Sequence, residues 1–170
     1  MTAPNSMMRG ATYPSGAGSL LPNPFLYTLP RTLWDKVKEF FGYTANFTGV
    51  NVLTASGNVT VQTVVQNDSA FILLGIGGTV TSTDEATRLT YVPQTIQIQD
   101  QTAGKNLFDQ ATHFMNVVGT AGEPFYFAIP KLVQPGATLS TTLNNLEATA
   151  RNVRLTFYGF KVYDKAATGE

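Results

Sequence analysis

The sequence predicts an all-β protein: a β-sandwich or jelly roll of about eight strands, with an extended N-terminal arm carrying one short helix. Three observations carry that expectation. From about residue 45 onward, short apolar stretches recur at regular spacing with turn-forming residues between them, the pattern of sandwiches rather than α/β folds. Charged residues make up only 13% of the chain, against roughly 25% in ordinary soluble domains, so Thr, Asn, Gln and Ser carry its polarity. Thr suits pleated strands, and Asn and Ser suit their turns. Finally, Pro4, Pro14, Pro22, Pro24 and Pro30 forbid a continuous helix or a central strand near the N-terminus.

The division expected is an arm at 1–44, a sandwich at 45–165 and a short tail at 166–170. Within the arm, Leu33, Val37, Phe40 and Phe41 recur with helical period, and Trp34 lies beside them. Thr32 stands where an N-cap would, with Asp35 three residues on, and Gly42 stands where a helix would end. A helix of about nine residues is marginal alone, so it must dock on its own domain or on a neighbour.

In the sandwich, "FTGVNVL" alternates through Val50 and Val52, and "NVTVQTVVQ" puts Val59, Val61 and Thr63 on one face. "SAFILLGI" is apolar at both parities, as in a strand buried on both sides. "QTIQIQD" points Ile96 and Ile98 inward, and "HFMNVVG" and "PFYFAIP" follow as strands. Leu139, Thr141 and Leu143 share one face of "ATLSTTLNNL". In the closing "NVRLTFYGFKVY", Val153, Leu155 and Phe157 have one parity while Phe160 and Val162 have the other, which predicts a bulge at Tyr158-Gly159. Turns are expected at Ser56-Gly57-Asn58, Asp68-Ser69, Thr83-Asp84, Ala103-Gly104, Gly119–Gly122, Pro135-Gly136 and Asn144-Asn145.

Eleven basic and eleven acidic residues cancel without clustering, so no patch is suited to neutralising several phosphates of a nucleic acid. Low net charge favours association instead. The absence of cysteine removes disulfides and thiolate chemistry. "MTAPNSMMRGATYPSG" has no apolar signal region, and no apolar run approaches the roughly 20 residues of a membrane span, so a protein made in the cytoplasm is expected. The triplets opening at Asn46, Asn58 and Asn67 are then read as chance occurrences.

Four features invite a catalytic or ligand-binding reading. Gly75-Ile76-Gly77-Gly78 follows an apolar strand, but Val80 stands where a dinucleotide fingerprint needs its third glycine, and no helix is expected to follow. The glycines are read as letting a buried strand bend. "QDQTAGKN" ends like a phosphate loop, yet Gln99 and Asn106 replace its first glycine and its hydroxyl residue, so it is read as a turn. His113 is the only histidine and is read as a strand start. Asp84-Glu85 is the only adjacent acidic pair, in a polar loop. No catalytic residue, metal ligand or cofactor is assigned. Of the aromatics, alternation sends Phe125 and Phe127 to one face and Tyr126 to the other. Core packing accounts for most of them, and an exposed one would stack on a sugar or on a partner subunit.

The series "FILLGIGGT", "IQIQDQTAGKNLF" and "GEPFYFAIPKLVQPGATLSTTLNNLEATARNVRLTFYGFKVY" resembles small structural proteins of tailed-bacteriophage virions. The likeness rests on Asp100, Gly104, Lys105, Leu107 and Phe108, on Pro124, Phe125 and Pro130, and on the Phe-x-Gly-Phe-Lys ending, and it covers roughly residues 69–163. It implies a capsid decoration, or cement, protein located in the virion. Its partners would be the major capsid protein and copies of itself, as dimer or trimer, with no direct nucleic-acid or membrane contact. Alternatives of other classes are a neck or tail adaptor, and a glycan- or receptor-binding fibre module using loops 79–90 or 119–124; an enzyme is the weakest. The arm has no counterpart in that resemblance. Its aromatic, charge-poor composition nominates Phe25, Leu26, Tyr27, Leu33, Trp34, Phe40 and Phe41 as partner-binding residues.

Overall fold

The computed structural model describes residues 37–84, 87, 92–120 and 122–163. Alternation in the sequence becomes nine strands among them: β1 (Val37–Phe47), β2 (Asn58–Val64), β3 (Ala70–Thr81), β4 (Gln94–Asp100), β5 (Lys105–Asn106), β6 (Thr112–His113), β7 (Phe125–Val133), β8 (Thr138–Asn145) and β9 (Asn152–Tyr163). One short helix, α1 (Phe114–Val117), interrupts them.

The pairings nest. Strand β1 pairs antiparallel with β9, β2 with β8, β3 with β7, and β4 with β5 and β6. The chain is thus one long antiparallel ribbon folded back on itself. Its arms then pair again, β3 with β9 and β4 with β8, giving two sheets ordered β1-β9-β3-β7 and β2-β8-β4-β5, with β6 also beside β4. A ribbon wrapped in this way into two facing sheets is a jelly roll.

The expected inward residues meet between the sheets. Leu143 pairs with Val59 and Ile96, and Thr141 with Val61 and Ile98. Opposite them, Phe47, Phe71, Leu73, Ile76, Leu155 and Phe157 are fully buried. One end of the sandwich is closed by a cation: Lys161 is buried, its ammonium lies 4.3 Å from the Phe41 ring centroid, donates to Gln66 Oε1, and sits 3.6 Å from Asp68 Oδ2. A buried charge survives only with partners of this kind.

Several expectations are corrected. Residues 37–41, expected to end a helix, are strand. Val37, Phe40 and Phe41 fit helical period, but the ladder from Val37↔Tyr163 to Phe47↔Val153 satisfies their backbone in a sheet instead. Residues 37–44, assigned to the arm, therefore belong to the sandwich. Thr32, Leu33 and Trp34, the rest of the arm and the tail at 166–170 lie outside the described residues. Val50 belongs to no strand: Gly49, at φ +60°, turns the backbone into a one-turn 3₁₀ helix (Gly49–Asn51) and leaves Val50 exposed. "HFMNVVG" is not a strand beyond His113, because the His113 Nδ1 accepts the Met115 N–H at 3.3 Å and caps α1, which buries Phe114 and Val117 on one side. Asn144 and Asn145 end β8 rather than forming a turn. The buried Asn145 amide donates to the Thr54 and Thr149 carbonyls, and its oxygen accepts the Glu147 N–H, supplying the following loop with hydrogen bonds.

Stability should concentrate between the sheets. Leu155→Ala is expected to cost about 3 kcal/mol, whereas Phe40→Ala, at an exposed position, should cost under about 1 kcal/mol. Urea unfolding of the two variants checks the contrast.

Candidate interaction site

The glycine run is built into β3, where it serves close backbone approach. Gly77 bridges Gly119 in parallel, Gly119 donates to the Ile76 carbonyl, and Gly78 donates to the Gly119 carbonyl at 2.8 Å. A Cβ on Gly77 would lie 2.9 Å from the Thr120 oxygen and 2.8 Å from the Tyr158 ring, so the segment after α1 seats here because no side chain intervenes. The second phosphate-loop lookalike is the β4–β5 hairpin: Lys105 pairs with Asp100, and Asp100 Oδ1 accepts the Ala103 N–H at 3.0 Å. Asp84 is hydrogen-bonded by the Ser82 hydroxyl, while Glu85 falls outside the described residues. Among the described residues there is no group of three or more His, Asp or Glu placed to hold a metal ion, and no helix long and apolar enough to cross a membrane.

The chemistry that stands out lies on the outer surfaces of the two sheets. Residues in register share a face, so rows can be read across strands. On the four-stranded sheet one outward row runs Phe40, Phe160, Ile72, Leu132 across all four strands, with Val162 and Ala70 in the row beside it. Next comes Tyr158 between Gly42 and Gly75, with Tyr126 beyond. Leu74 is an extra residue on β3: Leu73 pairs with Gly159 and Gly75 with Tyr158, so Leu74 joins Gly75 on the outer face. Ile72, Leu74 and Val162 form a second apolar cluster, separate from the main core, with Tyr126 and Phe160 packed against it. Phe40 stacks on Tyr158 at 6.3 Å and meets Phe160 edge-on at 5.8 Å, yet it remains 55% exposed. At the other edge, β7 leaves its ladder between Tyr126 and Lys131, where Pro130 lacks an N–H to give, and Ile129 and Leu132 are exposed.

The other sheet presents the opposite chemistry. Its outward positions on β2, β8 and β4 are Asn, Thr, Gln, Ser and one Val, with no Asp, Glu, Lys or Arg. Thr60 and Thr142 hydroxyls share a 2.7 Å hydrogen bond, Gln62 donates to Gln101, and Gln97 donates to the Phe108 carbonyl at 3.1 Å.

Of the residues nominated for partner binding, Phe25, Leu26, Tyr27, Leu33 and Trp34 lie outside the described residues. Phe40 and Phe41 take opposite sides of β1: Phe40 points out, and Phe41 packs inward against Tyr43 at 4.8 Å and under the Lys161 ammonium. Phe125 and Phe127 pack edge-to-face at 5.8 Å against the main core, with Tyr126 on the outer cluster, as alternation predicts. Sequence reasoning missed Ile72, Leu74, Val162 and Leu132 as surface-forming residues. The signal was present in the parity change at Phe160 and Val162, which was read as a bulge in β9. Strand β9 alternates without a break against β1; those side chains are apolar because they face outward onto an apolar surface.

At the end of β9 the Tyr163 hydroxyl donates to Glu39 Oε2 of the neighbouring β1 at 2.9 Å. Desolvation, followed by that hydrogen bond, holds its pKa above the ordinary tyrosine value. Comparison with family models and with curated proteins finds no match. The folded chain keeps the Tyr163 proton more tightly than the unfolded chain. The bond therefore contributes fully below a pH of about 10 and is lost as pH rises through the higher folded value. Thermal melts of wild type and Tyr163→Phe should differ near neutral pH and converge in strong alkali.

Proposed function

We propose that this protein is a non-enzymatic structural component of a phage virion that binds the assembled capsid and holds neighbouring capsid subunits together. The observation that carries this reading is the difference between its two outer faces. One exposes Phe40 and Leu132 on either side of a buried apolar cluster of Ile72, Leu74 and Val162, and the other is uncharged and hydrogen-bonding. Apolar surface rimmed by polar residues marks docking to another protein. Exposed aromatic side chains are the usual anchors, and here Phe40 stacks on Tyr158 and meets Phe160 edge-on at the β1 edge. The jelly-roll order is shared by viral capsid domains, lectins and cupins, so it is compatible with this role without choosing it. The sequence resemblance to virion proteins supports this role. Attachment across subunit junctions would stabilise the shell by linkage, because the protein would bind the assembled form and not the separated subunits.

The first test is the copy number of the chain in purified virions, by quantitative mass spectrometry against the major capsid protein. A simple fraction of the shell stoichiometry is expected, whereas a handful of copies would assign the protein to the neck, tail or a fibre. Absence from virions would overturn the structural reading. The second test uses the full chain, since removing residues 1–44 would take most of β1 with it. Phe40→Asp with Leu132→Asp should weaken binding to capsids by about tenfold or more, and Thr60→Ala with Thr142→Ala should leave it unchanged. The reverse pattern would place docking on the polar sheet.

A further inference from the structure

We infer that the flank of the sandwich formed by β1 and β2 is the contact surface between two copies of this chain, which join β1 to β1 across a twofold axis. The starting point is that the two flanks are finished differently. Each sheet has edge strands, and an edge strand offers a row of backbone N–H and C=O groups to any strand able to pair with it. On one flank these edges are blunted. Strand β7 carries Pro130 and Lys131 and leaves its ladder between Tyr126 and Lys131. The second sheet ends on that side in β5 and β6, of two residues each. Proline, lysine, irregularity and shortness are the devices that keep one sheet from adding to another.

The opposite flank is open. Strand β1 runs for 11 residues in unbroken register with β9, without proline, and its charges are confined to Lys38 and Glu39 near its start. Strand β2 runs for 7 residues in unbroken register with β8, with neither proline nor charge. Among the described residues no strand pairs with the free side of either. Both flanks expose apolar side chains, Phe40 and Val64 on one, Ile129 and Leu132 on the other, so it is the backbone that distinguishes them. The two open edges are also stacked: β1 lies against β2, and the Tyr43 hydroxyl accepts the Gln66 N–H just beyond β2 at 3.1 Å. A single strand of another protein satisfies only one such edge. Two edges a sandwich's thickness apart, about 10 Å, call for a partner with the same pair at the same spacing. A second copy has them by construction. A twofold axis normal to the sheets sets β1 antiparallel to the partner's β1 and brings β2 alongside the partner's β2, an isologous contact. The eleven basic and eleven acidic residues cancel, so no net repulsion opposes it. This inference does not depend on the virion reading and concerns the isolated protein.

The chain has no cysteine, so one introduced cysteine carries a spin label at a chosen place. Thr44 is exposed on β1 and Ile129 on β7. Sedimentation of the full-length chain across a dilution series is expected to show a monomer–dimer equilibrium. When β1 pairs along its length, Thr44 lies within a few residues of its own copy, so labels on Thr44→Cys should be within about 25 Å of each other. Labels on Ile129→Cys should be about 34 Å apart or more, because seven strand spacings then separate the two copies of β7. Thr44→Lys, which adds the charge that blunts natural edges, should weaken dimerisation by about tenfold or more, and Ile129→Lys should leave it unchanged. A chain that stays monomeric throughout the series would overturn the inference. So would a dimer in which the Ile129 labels are the closer pair, or one that Thr44→Lys leaves intact. Should Thr44→Lys lose its fold, as judged by circular dichroism, the label distances alone decide.

Discussion

Strand β9 lies between β1 and β3, and this placement governs the rest of the molecule. Neither neighbour can complete its hydrogen bonding until the last described residues of the chain are in place, because Val37 pairs with Tyr163 and Ala70 with Val162. The four-stranded sheet is thus assembled from the two ends of the described chain around its middle. Loop closure over nearly the whole sequence must precede the gain from those pairings, which makes the topology slow to form. Once formed, β9 is covered on both edges, and its two faces serve different purposes: Val153, Leu155 and Phe157 fill the core, and Phe160 and Val162 supply the outer cluster.

The same duality extends to β3, and the extra residue there shows how the two surfaces are reconciled. A strictly alternating β3 gives its outer face one side chain opposite Tyr158. The insertion of Leu74 gives it both Leu74 and Gly75, one adding apolar bulk and the other leaving room for Tyr126 and the Phe125 backbone. Beyond the bulge, Ile76, Gly78 and Val80 return to the core in phase with Phe157, Leu155 and Val153. A single bulge thus enlarges the outer surface without disturbing the inner one.

Much of this was legible in the sequence. The inward sets on β2, β4 and β8 followed from period-2 alternation, and the double-sided burial of β3 from its unbroken apolar run. The two glycine motifs, read as a strand bend and a turn, are part of β3 and of the β4–β5 hairpin. What the sequence hid is instructive. In Val37–Phe41 the apolar residues fit a helix as well as a strand, and the arbiter is a partner strand more than a hundred residues away, which no local pattern reveals. His113 and Gly49 redirect the chain through one side-chain hydrogen bond and one backbone angle, both invisible to periodicity. The outer apolar surface was misread because alternation reports that two faces differ, not which of them meets the solvent.

The charge-free outer surface of the second sheet has a consequence for crowding. Most proteins keep their copies apart by surface charge, a repulsion that weakens as salt rises. On this face Thr, Gln, Asn and Ser offer only dipoles to an approaching neighbour. Two such surfaces therefore meet neither long-range repulsion nor attraction, and what separates them is the water bound to amide and hydroxyl groups, which ionic strength barely alters. Spacing between copies packed with these faces toward one another is set by hydration rather than by electrostatics.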